Sequence, residues 1–450
     1  MISKDDFINA IIVNKQENGI SAFVGAGICS DANMPDWLHL LQPCAKELGV
    51  SIDENTDLFK LAQYYANAYG YNKLRKLINK NLNTYQHNSA LVSSILNVGF
   101  KSIWTTNYDK INIIKLNSFS NTIFDEKDFA NISWQNRINI FKLNGDISNL
   151  NNIVITQNDI DNYQNKHALF LTFLKRELVT NTFIFVGYSF NDQIVLSALA
   201  EINQYLGESS NTHYTIMKNK HTDEFELFIK DLEKRYHIKT VLVEEYAEIP
   251  LLLDKLKERM LDHNVFISGS FEYLSNEEDA FAYSLCKSLG EKLIDSNYNI
   301  VTGFGRNVGY YISGVVTQKL INSNIGNIEE RLIMRPFAHI MTAEEDTQFR
   351  KLLISNANST IYMFGQCLKN KKQENSRGTI EEYELARNMN KIIIPIGVTG
   401  YASREIFNDV KRNIICYPYL EQYIDVLENE KDVNILSSCI VSILNRTIKS

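Results

Sequence analysis

The sequence predicts an α/β chain of two doubly wound parallel-sheet domains, the first carrying a helical insertion. Three observations support this: short apolar runs that end in Gly, Ser or Asn, amphipathic stretches between those runs, and a second such series in the C-terminal half. Strands that alternate with helical patterns pair in parallel, because the crossover between parallel neighbours is long enough to be a helix and covers a sheet face. Two complete series imply two sheets.

In the first half the apolar runs are 21–24, 102–105, 138–143 and 182–186. A helix is expected to begin around Asp36, after Pro35. Residues 53–97 show helical spacing at Leu58, Leu61, Ala62, Tyr65, Leu74 and Leu77 with no clear strand, and form the insertion, which is placed to cover a cleft. Residues 250–261 read as a closing amphipathic helix and His263-Asn264 opens a fresh strand, so the domains are expected at 1–258 and 259–450. The second series comprises 265–267, 299–301, 360–364 and 391–396, with a helix over 344–355 that carries Arg350. Both domains are expected to be Rossmann-like.

Composition excludes several classes. Hydrophobic residues are 44% and charged residues 22%, a globular balance that argues against disorder and coiled coil. With 46 basic and 53 acidic residues the net charge is −7, so no electrostatic nucleic-acid binder is expected. No uncharged apolar run reaches the 18 or so residues of a membrane span, and the first ten residues lack a signal-peptide core; a cytoplasmic protein with no membrane role is expected. The six cysteines, Cys29, Cys44, Cys286, Cys367, Cys416 and Cys439, form no C-x-x-C pair, which predicts free thiols and no structural metal.

The chemistry is expected at strand ends, where open parallel sheets bind ligands. Gly25-Ala26-Gly27 follows the first strand, with Ser30 and Asp31 after it. Such glycines let backbone N–H groups approach a pyrophosphate, although the same turn serves equally as a plain tight turn. Thr106-Asn107-Tyr108-Asp109 ends the second run with an amide and a carboxylate suited to ribose hydroxyls or a water, or else to a cap. Gly187-Tyr188-Ser189 ends the fourth. Together with Lys142-Leu143-Asn144-Gly145-Asp146, these motifs resemble the sirtuin-like NAD-binding family in its bacterial defence-associated branch, over residues 1 to about 250. The resemblance implies NAD as the substrate and no metal. It places Gly25, Ala26, Gly27, Ser30, Asp31, Thr106, Asn107, Asp109, Gly187 and Ser189 around NAD, with Asn107 orienting the ribose or the attacking water.

Two departures matter. No cysteine lies between Cys44 and Cys286, so the zinc module of protein deacylases is missing. The family's catalytic histidine position is Asn144, and an amide takes no proton near neutral pH. A positioned base contributes about 10²–10⁴-fold, or roughly 3–5 kcal/mol. The resemblance therefore implies an impaired enzyme, with Asn144 either an engineered replacement of histidine or a natural variant. His39, His87 and His167 lie in the same domain but in no strand-end motif, and read as surface or core residues.

In the second half Ser268-Gly269-Ser270, Gly303-Phe304-Gly305 and Gly378-Thr379-x-x-Glu382 again follow strands or open helices, and Glu382 is placed to reach a ribose diol. They resemble the SLOG superfamily of nucleotide-handling domains, with the leading glycines of its enzymes replaced by Asn375-Ser376-Arg377, which suits binding rather than catalysis. The plain alternative is a structural domain that holds an oligomer together. A sirtuin-like domain followed by a SLOG domain resembles the Thoeris antiphage effectors. That implies a homotetrameric NAD glycohydrolase, silent until a cyclic ADP-ribose isomer from a TIR-domain partner protein fills the SLOG pocket. Abortive infection by NAD depletion would follow. The implied effector residues are Ser270, Gly303, Phe304, Arg350, Lys369, Gly378 and Glu382, with Arg335 a weaker candidate. Rival readings are a non-catalytic NAD- or nucleotide-binding signalling module and a sirtuin-type deacylase.

Overall fold

The computed structural model describes residues 1–28, 36–53, 56–82, 89–108, 120–132, 138–326, 328–338, 341–370 and 372–448. They divide into two units, Met1–Arg259 and Met260–Ser450.

Strand β1 (Ile20–Val24) is buried along its whole length, as a central parallel strand covered on both faces must be. It pairs in parallel with β2 (Ser102–Thr105), Phe23 opposite Trp104, and with β5 (Thr182–Val186), Phe23 opposite Phe185. Strands β3 (Ser120–Ile123) and β4 (Ile138–Lys142) extend the sheet beyond β2. Strands β6 (His213–Lys218) and β7 (Ile238–Val243) extend it beyond β5. Among the described residues the order is β3-β4-β2-β1-β5-β6-β7, all parallel. The chain thus winds outward from β1 in one direction and then from β5 in the other, which puts a topological switch between β1 and β5.

The insertion folds as helices Leu58–Tyr69, Tyr71–Leu82 and Ala90–Val98. Asp57 caps the first by accepting from the Lys60 N–H at 3.1 Å, and Ser89 caps the third by accepting from the Val92 N–H at 3.1 Å. Leu61, Ala62, Tyr65, Leu74 and Ile78 pack with Leu40, Leu41 and Cys44 of helix Trp37–Leu48, a small core apart from the sheet. Asp36 lies just outside that helix as its cap. At the amino end of the sheet, Glu177 is buried and accepts from Ser21, Ser102 and the Trp104 indole, tying β1 and β2 to helix Ala168–Thr180.

The second unit repeats the plan. Strands β8 (Asn264–Ser270), β9 (Asn299–Thr302), β10 (Leu332–Met334), β11 (Ser359–Phe364) and β14 (Ile392–Pro395) form a parallel sheet in the order β10-β9-β8-β11-β14. Its switch lies between β8 and β11. Between β11 and β14 the chain adds an exposed antiparallel hairpin, β12 (Gln366–Lys369) with β13 (Lys372–Asn375). The chain is therefore α/β with two doubly wound sheets. Among the described residues no helix is long and apolar enough to cross a membrane.

Candidate functional site

At the first switch two strand-end turns meet backbone to backbone. The Gly25 N–H donates to the Val186 carbonyl and the Gly27 N–H to the Gly187 carbonyl, both at 3.0 Å. Gly187 has φ +62°, and a Cβ there would stand 2.6 Å from the Ile28 nitrogen. Glycine is required at this crossing by space and by conformation. Asn107, at the end of β2, is only 9% exposed; its Nδ2 donates to the Gly25 carbonyl at 3.0 Å and its own N–H to the Thr105 hydroxyl at 3.0 Å. Thr106 is half-buried beside it, while Ala26, Gly27 and Ser189 are exposed at the rim.

Asn144 sits one strand further out. It is 3% exposed, its carbonyl accepts from the Val154 N–H at 2.9 Å, and its side-chain Oδ1 has no hydrogen-bond partner. A buried acceptor left unpaired costs about 1–3 kcal/mol, so the position is built for a partner that the protein itself does not provide. The loop around it is rigid. Tyr163 donates to the Leu143 carbonyl at 2.9 Å, Tyr108 donates to the Val154 carbonyl at 2.6 Å, and Gly145 turns the chain at φ +83°. Lys142 and Asp146 form a fully buried ion pair at 2.5 Å. Burial pushes the Asp146 carboxyl up, but attraction and hydrogen bonding from Lys142, joined by Ser148, outweigh it and hold the group below its ordinary range. The pair cancels its own charge and leaves Asn144 a neutral amide between two ions that satisfy each other.

Asn107, Gly25, Gly27 and Gly187 are thus brought together, with Asn144 at the end of the strand beyond β2. Ser30, Asp31 and Asp109 lie outside the described residues, as does His87. His39 is exposed, 2.7 Å from Asp36. His167 is buried, packs on Tyr163, and is pushed toward its neutral form by burial. Sequence reasoning missed Tyr188, whose buried hydroxyl has no partner at the end of β5. It stands inside the Gly187-Tyr188-Ser189 motif, but its orphaned hydroxyl follows from packing that only the fold supplies.

At the second switch a cavity of about 130 Å³ is lined by Ser268, Ser270, Gly303, Phe337, Arg350, Gly378 and Glu382 among others. Arg350 is 14% exposed at its side chain and reaches Glu381 at 3.1 Å, Glu382 at 3.7 Å and Asp346 at 3.8 Å. Glu382 accepts from the Ser268 hydroxyl at 2.5 Å. Burial pushes its carboxyl up to about 7, against the opposing pull of Ser268 and Arg350. A Cβ at Gly378 would stand 2.9 Å from the Arg350 guanidinium, the movable end of that side chain. Phe304 and Lys369 are not brought to this cavity. Phe304 has φ 58°, which turns its ring out to 41% exposure over a separate apolar hollow with Tyr310, Ile321 and Met334. Lys369 is exposed on the β12–β13 hairpin opposite Lys372, and Arg335 is exposed after β10.

Residues 101–241 match the SIR2-like domain family, and residues 248–447 match the Sir2- and TIR-associating SLOG family, STALD. The chain is 28% identical over 435 residues to the NAD(+) hydrolase ThsA of Bacillus cereus (strain MSX-D12), spanning 91% of this chain and 90% of that protein. It is 29% identical over 462 residues to the NAD(+) hydrolase ThsA of Enterococcus faecium, spanning 96% of each. A shorter match, 25% over 194 residues and 40% of this chain, is to Defense-associated sirtuin 2 of Bacillus subtilis, of which it covers 19%. The chain thus joins a region that matches the SIR2-like family to one that matches the SLOG family STALD, and is similar over nine-tenths of its length to proteins named ThsA.

Proposed function

We propose that the first unit hydrolyses NAD+ to ADP-ribose and nicotinamide, that a cyclic ADP-ribose isomer bound in the second unit activates it, and that the resulting loss of NAD serves antiphage defence. The observation that carries the first part is the buried, unpartnered Asn144 Oδ1 in the Lys142–Asp146 loop, in the same sheet as an Asn107 clamped to the glycine crossing. The ThsA relatives, named as NAD(+) hydrolases, support the same reading.

In this reaction the C1′–N bond to nicotinamide breaks, the bond electrons neutralise the pyridinium, water adds to C1′ and one proton is released. The leaving group is already cationic, so no metal is needed. Asn107 orients the ribose or the water, and the Gly25-Ala26-Gly27 turn, whose Gly25 and Gly27 N–H groups are held by Val186 and Gly187, lets the pyrophosphate approach the backbone closely. Asn144 Oδ1 accepts a hydrogen bond from a ribose hydroxyl or the water but cannot take the proton, which leaves the chain impaired. The effector would come from a TIR-domain partner protein and act on a cytoplasmic homotetramer; the TIR-associating character of the matched SLOG family supports that partner.

The test is nicotinamide release by this chain and by Asn144→His, each with and without cyclic ADP-ribose isomers. The expected result is effector-dependent cleavage, faster in Asn144→His by about 10²–10⁴-fold. No release under any condition, with NAD still bound, would establish instead a non-catalytic NAD-binding signalling module.

A further inference from the structure

The cavity of the second unit is narrow for its proposed ligand. It measures about 130 Å³, whereas pockets for ligands of drug or nucleotide size run to about 300–1,000 Å³. Phe337 is one of the side chains that line it. Its ring lies over the Arg350 guanidinium at 5.0 Å and packs edge-on against Phe349 at 4.8 Å. On its other side it closes against Gly303, where a Cβ would come within 2.8 Å of the ring. Among the described residues Arg350 is the one cation lining the cavity. Its edge is occupied by Glu381, Glu382 and Asp346, and its face by Phe337.

The Phe337 side chain packs on the core of the second unit, but among the described residues its backbone has few ties. Edge strand β10 is three residues long, and its last tie to the sheet is the Arg335 N–H donating to the Thr302 carbonyl at 3.0 Å. Pro336 follows with no N–H to continue the ladder. Phe337 is itself only half-buried, in a stretch with no regular secondary structure. Segments with few backbone bonds and partial exposure open at low free-energy cost.

We propose that Phe337 is a displaceable plug, and that an adenine nucleotide enters the cavity by pushing this ring off Arg350 and taking its place on the guanidinium face. The inference rests on the reading of the second unit as an effector site. The ring then sets the effector threshold, because apparent affinity is the intrinsic affinity multiplied by the fraction of molecules with the plug out. A cation–π contact of this kind corresponds to about 2- to 30-fold in affinity.

The test is calorimetric titration of the full chain with cyclic ADP-ribose isomers and with ADP-ribose, for the parent, Phe337→Ala, Phe337→Leu and Phe337→Trp. Leucine keeps apolar packing on Phe349 without an aromatic face, so it guards against simple misfolding of the alanine variant, and thermal melts of each variant accompany the titrations. Binding about 2- to 30-fold tighter in Phe337→Leu, matched by Phe337→Ala if that variant melts like the parent, and weaker binding in Phe337→Trp support the plug. Binding by the parent with equal or weaker binding by Phe337→Leu makes the ring a wall of the site, which overturns the plug and leaves the effector reading standing. No binding by any of the four overturns both.

Discussion

Replacing Glu382 by Gln should flatten the pH dependence of stability of the second unit. Burial raises this carboxyl from 4.5 to about 7, with Ser268 and Arg350 opposing the shift and Glu381 reinforcing it. Between those two values the folded protein keeps a proton that the unfolded chain has released. Stability from this group is therefore present at low pH, falls as pH rises from about 4.5 to about 7, and is level above that. A shift of about 2.5 units at about 1.4 kcal/mol each gives roughly 3 kcal/mol. Glutamine is neutral throughout, keeps the shape, and still accepts from the Ser268 hydroxyl, while Arg350 retains Glu381 at 3.1 Å. The assay is hydrogen exchange across a pH series, followed in peptides from β8 and from helix Arg377–Asn388 of the full chain, with rates corrected for intrinsic exchange. Other groups titrate alike in both proteins, so the difference between the two profiles isolates Glu382. Parallel profiles would show that the carboxyl is ionised in the fold and that Arg350 and Ser268 overcome its burial.

Two further substitutions probe the first unit. Gly187→Ala forces φ +62° on a residue with a Cβ 2.6 Å from the Ile28 nitrogen, and should cost about 1–3 kcal/mol and weaken NAD binding, read by melting temperature and by titration with NAD. Lys142→Met strands the Asp146 carboxylate in a site where both partners are almost wholly buried, and should cost about 3–5 kcal/mol in urea unfolding, part of which Asp146→Asn added to it should restore.

The elements that sequence reasoning recovered share one property: their signal is local. β1, β5 and β11 are mostly apolar and buried throughout because both their faces are covered, and each ends in a turn that names itself by Gly. β3 escaped because Ser120, Asn121 and Thr122 are half-buried on an edge strand, where polar residues are tolerated. β6 opens with His213, a residue that reads as polar. In the fold it is buried and neutral, pushed down to about 3 by burial, with Nδ1 accepting from the Phe183 N–H. The exposed β12–β13 hairpin has no apolar alternation to detect. Within the sites, Gly25 and Gly187 were legible one at a time, but their mutual contact depends on strand order. Phe337 gave no signal at all, since a lone Phe after Pro336 reads as loop. Phe304 misled in the opposite sense: it stands between two glycines that border the cavity, yet a single positive φ turns its ring away.

The two switch points share a backbone plan and differ in charge, and that difference bears on what each does. At the first, Lys142 and Asp146 cancel one another, and the polar groups described there are the Asn107 and Asn144 amides and a glycine turn whose Gly25 and Gly27 N–H groups are already paired across the crossing. At the second, Arg350 stands within 3.8 Å of Glu381, Glu382 and Asp346 with Phe337 over its guanidinium, while its Nε makes no hydrogen bond. Binding there is an exchange of partners rather than a simple gain, and its free energy goes largely into rearranging the site. On the effector reading proposed above, such an exchange would favour a ligand able to replace both the carboxylates and the ring, which is the behaviour a sensor needs.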